Sequence, residues 1–340
     1  MPAAIHPPRV AVVGAGAFGG NHLRVLSEMP EAALVAAIEP DPARAASVAE
    51  RYRIPVLPSV DAALSADLAL HAAIVAVPTV HHCAVASQLL AAGIDCLVEK
   101  PLAASLPEAD QLIALARRHA RILQPGHLER FNPAVLAMQS NLRGPMFFEA
   151  HRLSVFTPRS LDVDVVLDLM IHDLDVVLRF AASPVRDLRA VGLPILSGKV
   201  DIANVRVEFD SGCVANFTAS RVSTERVRKL RYFEPGRYVS IDYARRDALV
   251  IAVDQNFQLE AAMRAGAAED FVHGLPGLHF DKPAIAPGEP LRLELESFLR
   301  SVHTRCQPAV TATEGRQALE LALSIQQQMT DHAQRAGLAS

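Results

Sequence analysis

The chain has 340 residues, 51% of them hydrophobic and 21% charged, with a formal net charge of −4. That is ordinary globular composition, long enough for two domains. The negative balance and the lack of any basic tract argue against nucleic acid or an anionic membrane as partner.

In chain order, MPAAIHPPR lacks the apolar segment of a secretory signal, and no stretch reaches the roughly 18 apolar residues of a membrane helix. A soluble, cytoplasmic protein is expected. Cys83, Cys96, Cys213 and Cys306 form no Cys-x-x-Cys pair, so neither a metal site nor a disulfide framework is expected, and this usage fits a reducing compartment. RVAVVGAG (9–16) reads as a buried strand, followed by a helix with Phe18, Leu23, Leu26 and Met29 at helical spacing. ALVAAIEPDP (33–42) is a second strand and ARAASVAERY a second helix. IPVL, HAAIVAV and DCLVEKP add strands, with helices at 59–65, 81–92 and 107–119. Strands alternating with helices of this length imply a doubly wound parallel sheet covered on both faces.

The turn after the first strand is GAGAFG. Gly14 permits the tight turn, Gly16 lets backbone approach a pyrophosphate, and Gly19 lets helix pack on strand, with Ala17 and Phe18 between them. Glu39 closes the second strand 20 residues after Gly19. A carboxylate there suits a ribose diol and would meet a 2′-phosphate, so NAD is favoured over NADP. A Rossmann domain over 1–122 is expected.

From 123 onward the pattern changes. Asn132 and Pro133 suit the N-cap and first position of a helix. MFFEAHRLSVF, NVRVEFDSGCVANFTASR with a hairpin turn at 210–212, and RYVSIDYARRDALVIAV read as strands. Residues 273–289 read as a Gly/Pro-rich loop, and 290–303 and 313–330 as closing helices. Over 123–340 mostly antiparallel strands with one polar face imply a sheet that covers something or pairs with a partner. VLDLMIHDLDVVL (166–178) reads as one amphipathic helix. Asp168 and His172 stand one turn apart on one face, while Asp173 and Asp175 lie on other faces, suited to capping, ion pairing or substrate hydroxyls.

GAGAFGGNH, VAVPTVHH, LVEKPLA and the Asp168/His172 pair occur in the order and spacing of the Gfo/Idh/MocA oxidoreductases, which the chain resembles over essentially its whole length. The resemblance implies a C-terminal α+β domain, 123–340, with an open, mostly antiparallel sheet that binds substrate, oxidation or reduction of a sugar carbinol, and a homodimer or homotetramer formed through that sheet. GHLERFNPA (126–134) and VLDLMIHDLD are similar to the subgroup that oxidises the 3-hydroxyl of UDP-N-acetylglucosamine. Members acting on polyols more often carry a glycine-containing GGxxxDxGxH where this chain has VDVVLDLMIH. A dehydrogenase of a free sugar or inositol is the alternative, and a catalytically silent NAD-binding sensor a second one.

Oxidising a secondary alcohol needs a base and a group that stabilises developing alkoxide charge. An imidazole suits the first task at neutral pH, so His172 is the candidate base, with Asp168 to orient it or share the hydroxyl. Lys100 can hold the reacting oxygen, and Glu99 precedes it at a strand C-terminus, where α/β folds place ligands. In the family the residues matching Lys100, Asp168 and His172 are catalytic. Pro78 and Thr79 are expected beside the nicotinamide or ribose. His82 is expected either near the cofactor or simply in the first turn of a helix. Arg130 and Asn132 could hold sugar or diphosphate, though Asn132 is already accounted for as a cap. Arg152 and Arg159 are cations that a nucleotide sugar would need, unless they are plain surface charge.

Overall fold

The computed structural model describes residues 7–157, 163–261 and 275–338. The first sheet is built from β1 (Arg9–Val13), β2 (Ala33–Ile38), β3 (Val56–Leu57), β4 (Ala72–Val75), β5 (Asp95–Glu99) and β6 (Leu123–Gly126), in the order 3-2-1-4-5-6. Every neighbouring pair is parallel. This is the doubly wound Rossmann arrangement, whose order reverses between β1 and β4. The connecting helices are α1 (Ala17–Glu28), α2 (Pro42–Tyr52), α3 (Val60–Ser65), α4 (His82–Ala91) and α5 (Leu106–Arg118). Three of them start on side-chain caps, from Asp41, Ser59 and Ser105. Asp41 and Ser105 are each followed by a proline or Leu-Pro whose missing N–H costs nothing at that position.

The core of this unit joins Val10, Val12, Ile74 and Leu97 of the strands with Leu23 and Leu26 of α1. Leu295 and Phe298 of α8 (Pro290–Thr304) complete it. The unit therefore runs to Phe131 and takes back Glu289–Glu320. Within it residues 123–126 of β6 pair with residues 96–99 of β5.

The second unit spans Asn132–Gly288 and resumes at Leu321, within α9 (Ala312–Arg335). It holds α6 (Pro133–Gln139), α7 (Ile171–Ala181) and an eight-stranded sheet: β7 (Phe147–Leu153), β8 (Val185–Leu193), β9 (Ile202–Phe209), β10 (Val214–Ser220), β11 (Val227–Glu234), β12 (Arg237–Asp242), β13 (Asp247–Val253) and β14 (Leu278–Asp281). The order is 14-13-12-11-7-10-9-8. All pairs are antiparallel except β7 with β10. Burial alternates along β9, β10 and β11, so one face carries Phe148, Val205, Phe217, Leu230 and Tyr232, all essentially inaccessible. Phe180 of α7 meets Tyr232 edge-on, with ring centroids 6.0 Å apart. The other face is polar and aromatic: Arg231 reaches Glu149 at 3.7 Å, Asn204 bonds Thr218, and Phe147, Phe233 and Tyr238 form a chain of rings.

Two sequence expectations change here. The loop expected over 273–289 contains β14, a four-residue strand whose hydrogen bonds come from the edge of β13 rather than from any propensity of its own. The helix expected over 166–178 is continuous, but its opening is wound differently: Val166–Met170 form a π turn that runs without a break into α7 at Ile171. The apolar residues on both sides of Asp168 hide the phase shift that an inserted residue gives a hydrophobic repeat.

Candidate active site residues

The phosphate-side geometry of the first unit follows from its glycines. Gly14 has φ +89, and a Cβ there would lie 2.7 Å from the Ala76 carbonyl oxygen. At Gly19 a Cβ would lie 1.8 Å from the Gly14 carbonyl oxygen, so no other residue lets α1 approach the turn this closely. At Gly16 a Cβ would meet nothing within 4 Å. The loop is open on that side, at the N-cap of α1, where no side chain caps the helix and no acidic residue occupies the first turn. Unclaimed N–H groups and the positive end of the helix dipole suit a pyrophosphate. The residues therefore fit a dinucleotide.

Glu39 is 4% exposed, and its two oxygens are individually occupied. Oε2 accepts the Ala15 N–H at 2.8 Å, while Oε1 accepts the Asp41 N–H at 2.9 Å and Arg44 Nη2 at 3.2 Å. Burial pushes its pKa up, but the Asp41 and Ala15 N–H groups and Arg44 outweigh that and leave it below the usual carboxylate range. The carboxylate thus fixes the glycine turn, and its remaining lone pairs can accept the hydroxyls of a ribose.

Pro78 opens a short 3₁₀ turn, Thr79–His81, whose Val80 is 70% exposed. His82 begins α4 and is buried. Its Nδ1 lies 2.8 Å from the Pro101 carbonyl oxygen and its Nε2 2.9 Å from that of Val77. Burial lowers its pKa although both carbonyls favour the cation. A neutral ring can donate to only one of them. His82 thus ties the strand ends after β4 and β5 together and presents no free nitrogen to a ligand.

Glu99 and Lys100 follow at the end of β5. Sequence reasoning missed the residue that holds Glu99: His22 of α1, 1% exposed, whose Nε2 lies 2.7 Å from Glu99 Oε1. Burial pushes Glu99 up, but His22 and the charge of Lys100 bring it below its ordinary value. The motif GGNH contains the signal, since a histidine one turn into α1 faces the sheet. Glu99 is therefore an anion beside Lys100, and Gly126 on β6 leaves room for it: a Cβ there would lie 3.3 Å from Glu99 Oε2. Arg130 is buried and bonded to Glu314 at 3.0 Å. Glu314 in turn forms a capping box with Thr311 at the start of α9.

In the second unit Asp168 sits within the π turn and His172 is the second residue of α7. Asp164 anchors this segment: its Oδ1 accepts the N–H groups of Val166 and Leu167, at 2.8 and 3.1 Å. Asp173 is buried and takes Arg152 in a two-point grip, 2.7 and 3.0 Å. The same guanidinium lies 5.1 Å over the Tyr243 ring. Ion pairing, one of the uses expected of Asp173, accounts for it, and Arg152 is 3% exposed rather than a surface cation. Asp175 is also buried. Asn132 caps α6 through Ala134 N and donates to the Tyr243 carbonyl at 3.0 Å. Arg159 lies outside the described residues.

Among the described residues no cluster of His, Cys, Asp and Glu could hold a metal ion, and no helix is long and apolar enough to cross a membrane.

Residues 8–127 match the profile of an oxidoreductase family with an NAD-binding Rossmann fold, and 134–234 the GFO/IDH/MocA C-terminal domain. The chain is 35% identical over 318 residues, 93% of its length and 96% of the relative's, to UDP-N-acetylglucosamine 3-dehydrogenase of Acidithiobacillus ferrooxidans. A solved structure of the enzyme so named from that organism matches with TM-score 0.84 at 33% identity, covering 94% of this chain and 96% of that one. Inositol 2-dehydrogenase of Acidothermus cellulolyticus is 31% identical over 192 residues, 54% of this chain and 56% of its own. The glycine turn, the strand order and these matches together make the chain a member of the Gfo/Idh/MocA oxidoreductase family, an NAD-binding dehydrogenase by descent.

Proposed function

We propose that this protein oxidises the 3-hydroxyl of UDP-N-acetylglucosamine to the ketone with NAD. The observation that carries the reading is the 35% identity, over almost the whole of both chains, to a relative bearing that activity in its name. The inositol relative matches only about half of this chain, and the polyol-type glycine motif is replaced by VDVVLDLMIH.

When bound, NAD supplies the two-electron acceptor. Gly14, Gly16, Ala17, Phe18 and Gly19 would hold its pyrophosphate and Glu39 its ribose, with Pro78 and Thr79 beside the nicotinamide or ribose. His172 takes the hydroxyl proton and Asp168 sets the imidazole's orientation. The Lys100 ammonium stabilises charge developing on the reacting oxygen, and anionic Glu99 keeps that ammonium charged and in place. His82 acts by bracing the 77–79 and 100–102 turns. Arg130, Asn132 and Arg152, with internal partners of their own, support the segments that surround the sugar rather than grip it. The reading includes a cytoplasmic location, consistent with four unbridged cysteines. It also includes a homodimer or homotetramer whose copies meet on the face of Glu149, Phe147, Phe233 and Tyr238.

Purified protein mixed with NAD and UDP-N-acetylglucosamine should raise the absorbance of reduced nicotinamide. Turnover of free sugars or inositol alone would favour the alternative, and NAD binding without turnover of any of them would favour a sensor.

A further inference from the structure

The π turn that carries Asp168 is held from outside by a cluster of buried polar groups that the reaction itself does not use. Asp201 is fully buried just before β9. Its Oδ2 accepts the N–H groups of Ile195, Leu196 and Ser197 at 2.8, 2.6 and 2.8 Å, and its Oδ1 accepts the Ser197 hydroxyl at 2.6 Å. Burial pushes this carboxyl up, yet the Ser197 hydroxyl and the three backbone N–H groups hold it down at about 2. Arg221, 5% exposed, stands 3.7 Å from Asp201 Oδ1 and donates through Nη2 to the Val163 carbonyl at 2.6 Å. Val165 N–H donates to the Val200 carbonyl at 3.1 Å. Between those two ties, Asp164 caps Val166 and Leu167 through one oxygen and accepts Gln326 of α9 through the other. Three consecutive residues entering the π turn are thus fastened at three separate points: Arg221 just past β10, Gln326 of α9 and Val200 just before β9.

We infer that Asp201, Arg221 and Asp164 are positioning residues: one clasp that fixes where Asp168 and His172 stand. The physical reason is the π turn. Its i→i+5 geometry is rare and does not persist on its own, so a neighbouring α-helix would absorb the inserted residue unless the entering chain were pinned. Losing the inserted residue to regular α geometry would rotate every side chain before it by about 100° about the helix axis, which would turn Asp168 relative to His172 while leaving α7 intact. A misplacement of about 1 Å at a reacting group can cost on the order of a hundredfold in rate. The clasp deepens the dehydrogenase reading above and rests on it for its kinetic consequence.

The test compares full-length Asp164→Ala, Asp164→Asn and Asp201→Asn with wild type. Asparagine at 164 keeps an oxygen for Val166 and Leu167, whereas alanine removes it. We expect Asp164→Ala and Asp201→Asn to lower kcat with UDP-N-acetylglucosamine about 10- to 100-fold per NAD-binding site, with the Kd for NAD within twofold. Asp164→Asn should stay within about threefold of wild type. Hydrogen exchange of amides 164–172 should quicken at least tenfold in the two impaired variants, while β10 and β11 stay protected. That readout needs no substrate, so a wild type inactive on this sugar overturns the function without touching the clasp. Unchanged exchange over 164–172 in both variants, or full kcat per folded site in Asp164→Ala, would overturn the clasp.

Discussion

Glu39→Gln is the perturbation that separates a cofactor carboxylate from a surface charge. The substitution keeps size and removes one acceptor oxygen. With the amide oxygen facing Asp41 N–H, the amide nitrogen faces Ala15 N–H, donor against donor; flipping it only moves the conflict. An orphaned buried donor costs about 1–3 kcal/mol, and Ala15 is half-buried, so water recovers part of that. The bond that survives falls from charge-assisted to neutral strength, about 1 kcal/mol more. Arg44, 57% exposed, contributes little either way. The sum is about 2–3 kcal/mol against the glycine turn. The acceptors for a ribose weaken with it, so NAD affinity should fall about 10- to 100-fold, each factor of ten being about 1.4 kcal/mol. Calorimetric titration with NAD and thermal unfolding of the unliganded protein measure the two effects, with Arg44→Ala as a control expected within about fivefold. A Glu39→Gln protein with wild-type affinity and wild-type melting would refute the role given to this carboxylate.

Other outcomes follow from the same structure. Gly19→Ala should abolish NAD binding by equilibrium titration, since its Cβ meets Gly14 backbone at 1.8 Å and backbone cannot step aside cheaply. His172→Ala should remove turnover in the coupled absorbance assay and leave the Kd for NAD within about twofold; a large loss of affinity would contradict its assignment as the base. Asp201 contributes stability that is present above its unfolded value near 3.9 and is lost as pH falls towards about 2. The shift corresponds to roughly 2–3 kcal/mol. Asp201→Asn should accordingly lose about that much at neutral pH in urea unfolding and show a flatter acid limb.

The first unit was largely legible because its signals are local. A glycine turn between strand and helix, an acid 20 residues on and caps such as Asp41 all lie within a few turns of what they organise. Asn132 was legible as a cap for the same reason. What escaped depends on partners distant in sequence. Arg130 reads as an available cation until Glu314, 184 residues away, is placed against it. His22 looks like any residue of α1 until β5 brings Glu99 beneath it, 77 positions later. Arg152 and Asp173 were both noticed, yet nothing in their spacing says that β7 and α7 press them together. The π turn at 166–170 escaped for another reason. The apolar positions continue through it, so periodicity reads a uniform α-helix where the backbone is one helix with a π turn in its first part.

The most direct test of the account uses UDP-N-acetylglucosamine carrying deuterium at C3 of the sugar. The account predicts that, with NAD, deuterium leaves the sugar and is recovered in the reduced nicotinamide in equal amount, and that His172→Ala stops the transfer. Deuterium retained on the sugar while NAD is reduced would place the oxidised carbon elsewhere, and no NAD reduction at all would contradict the assignment of this substrate.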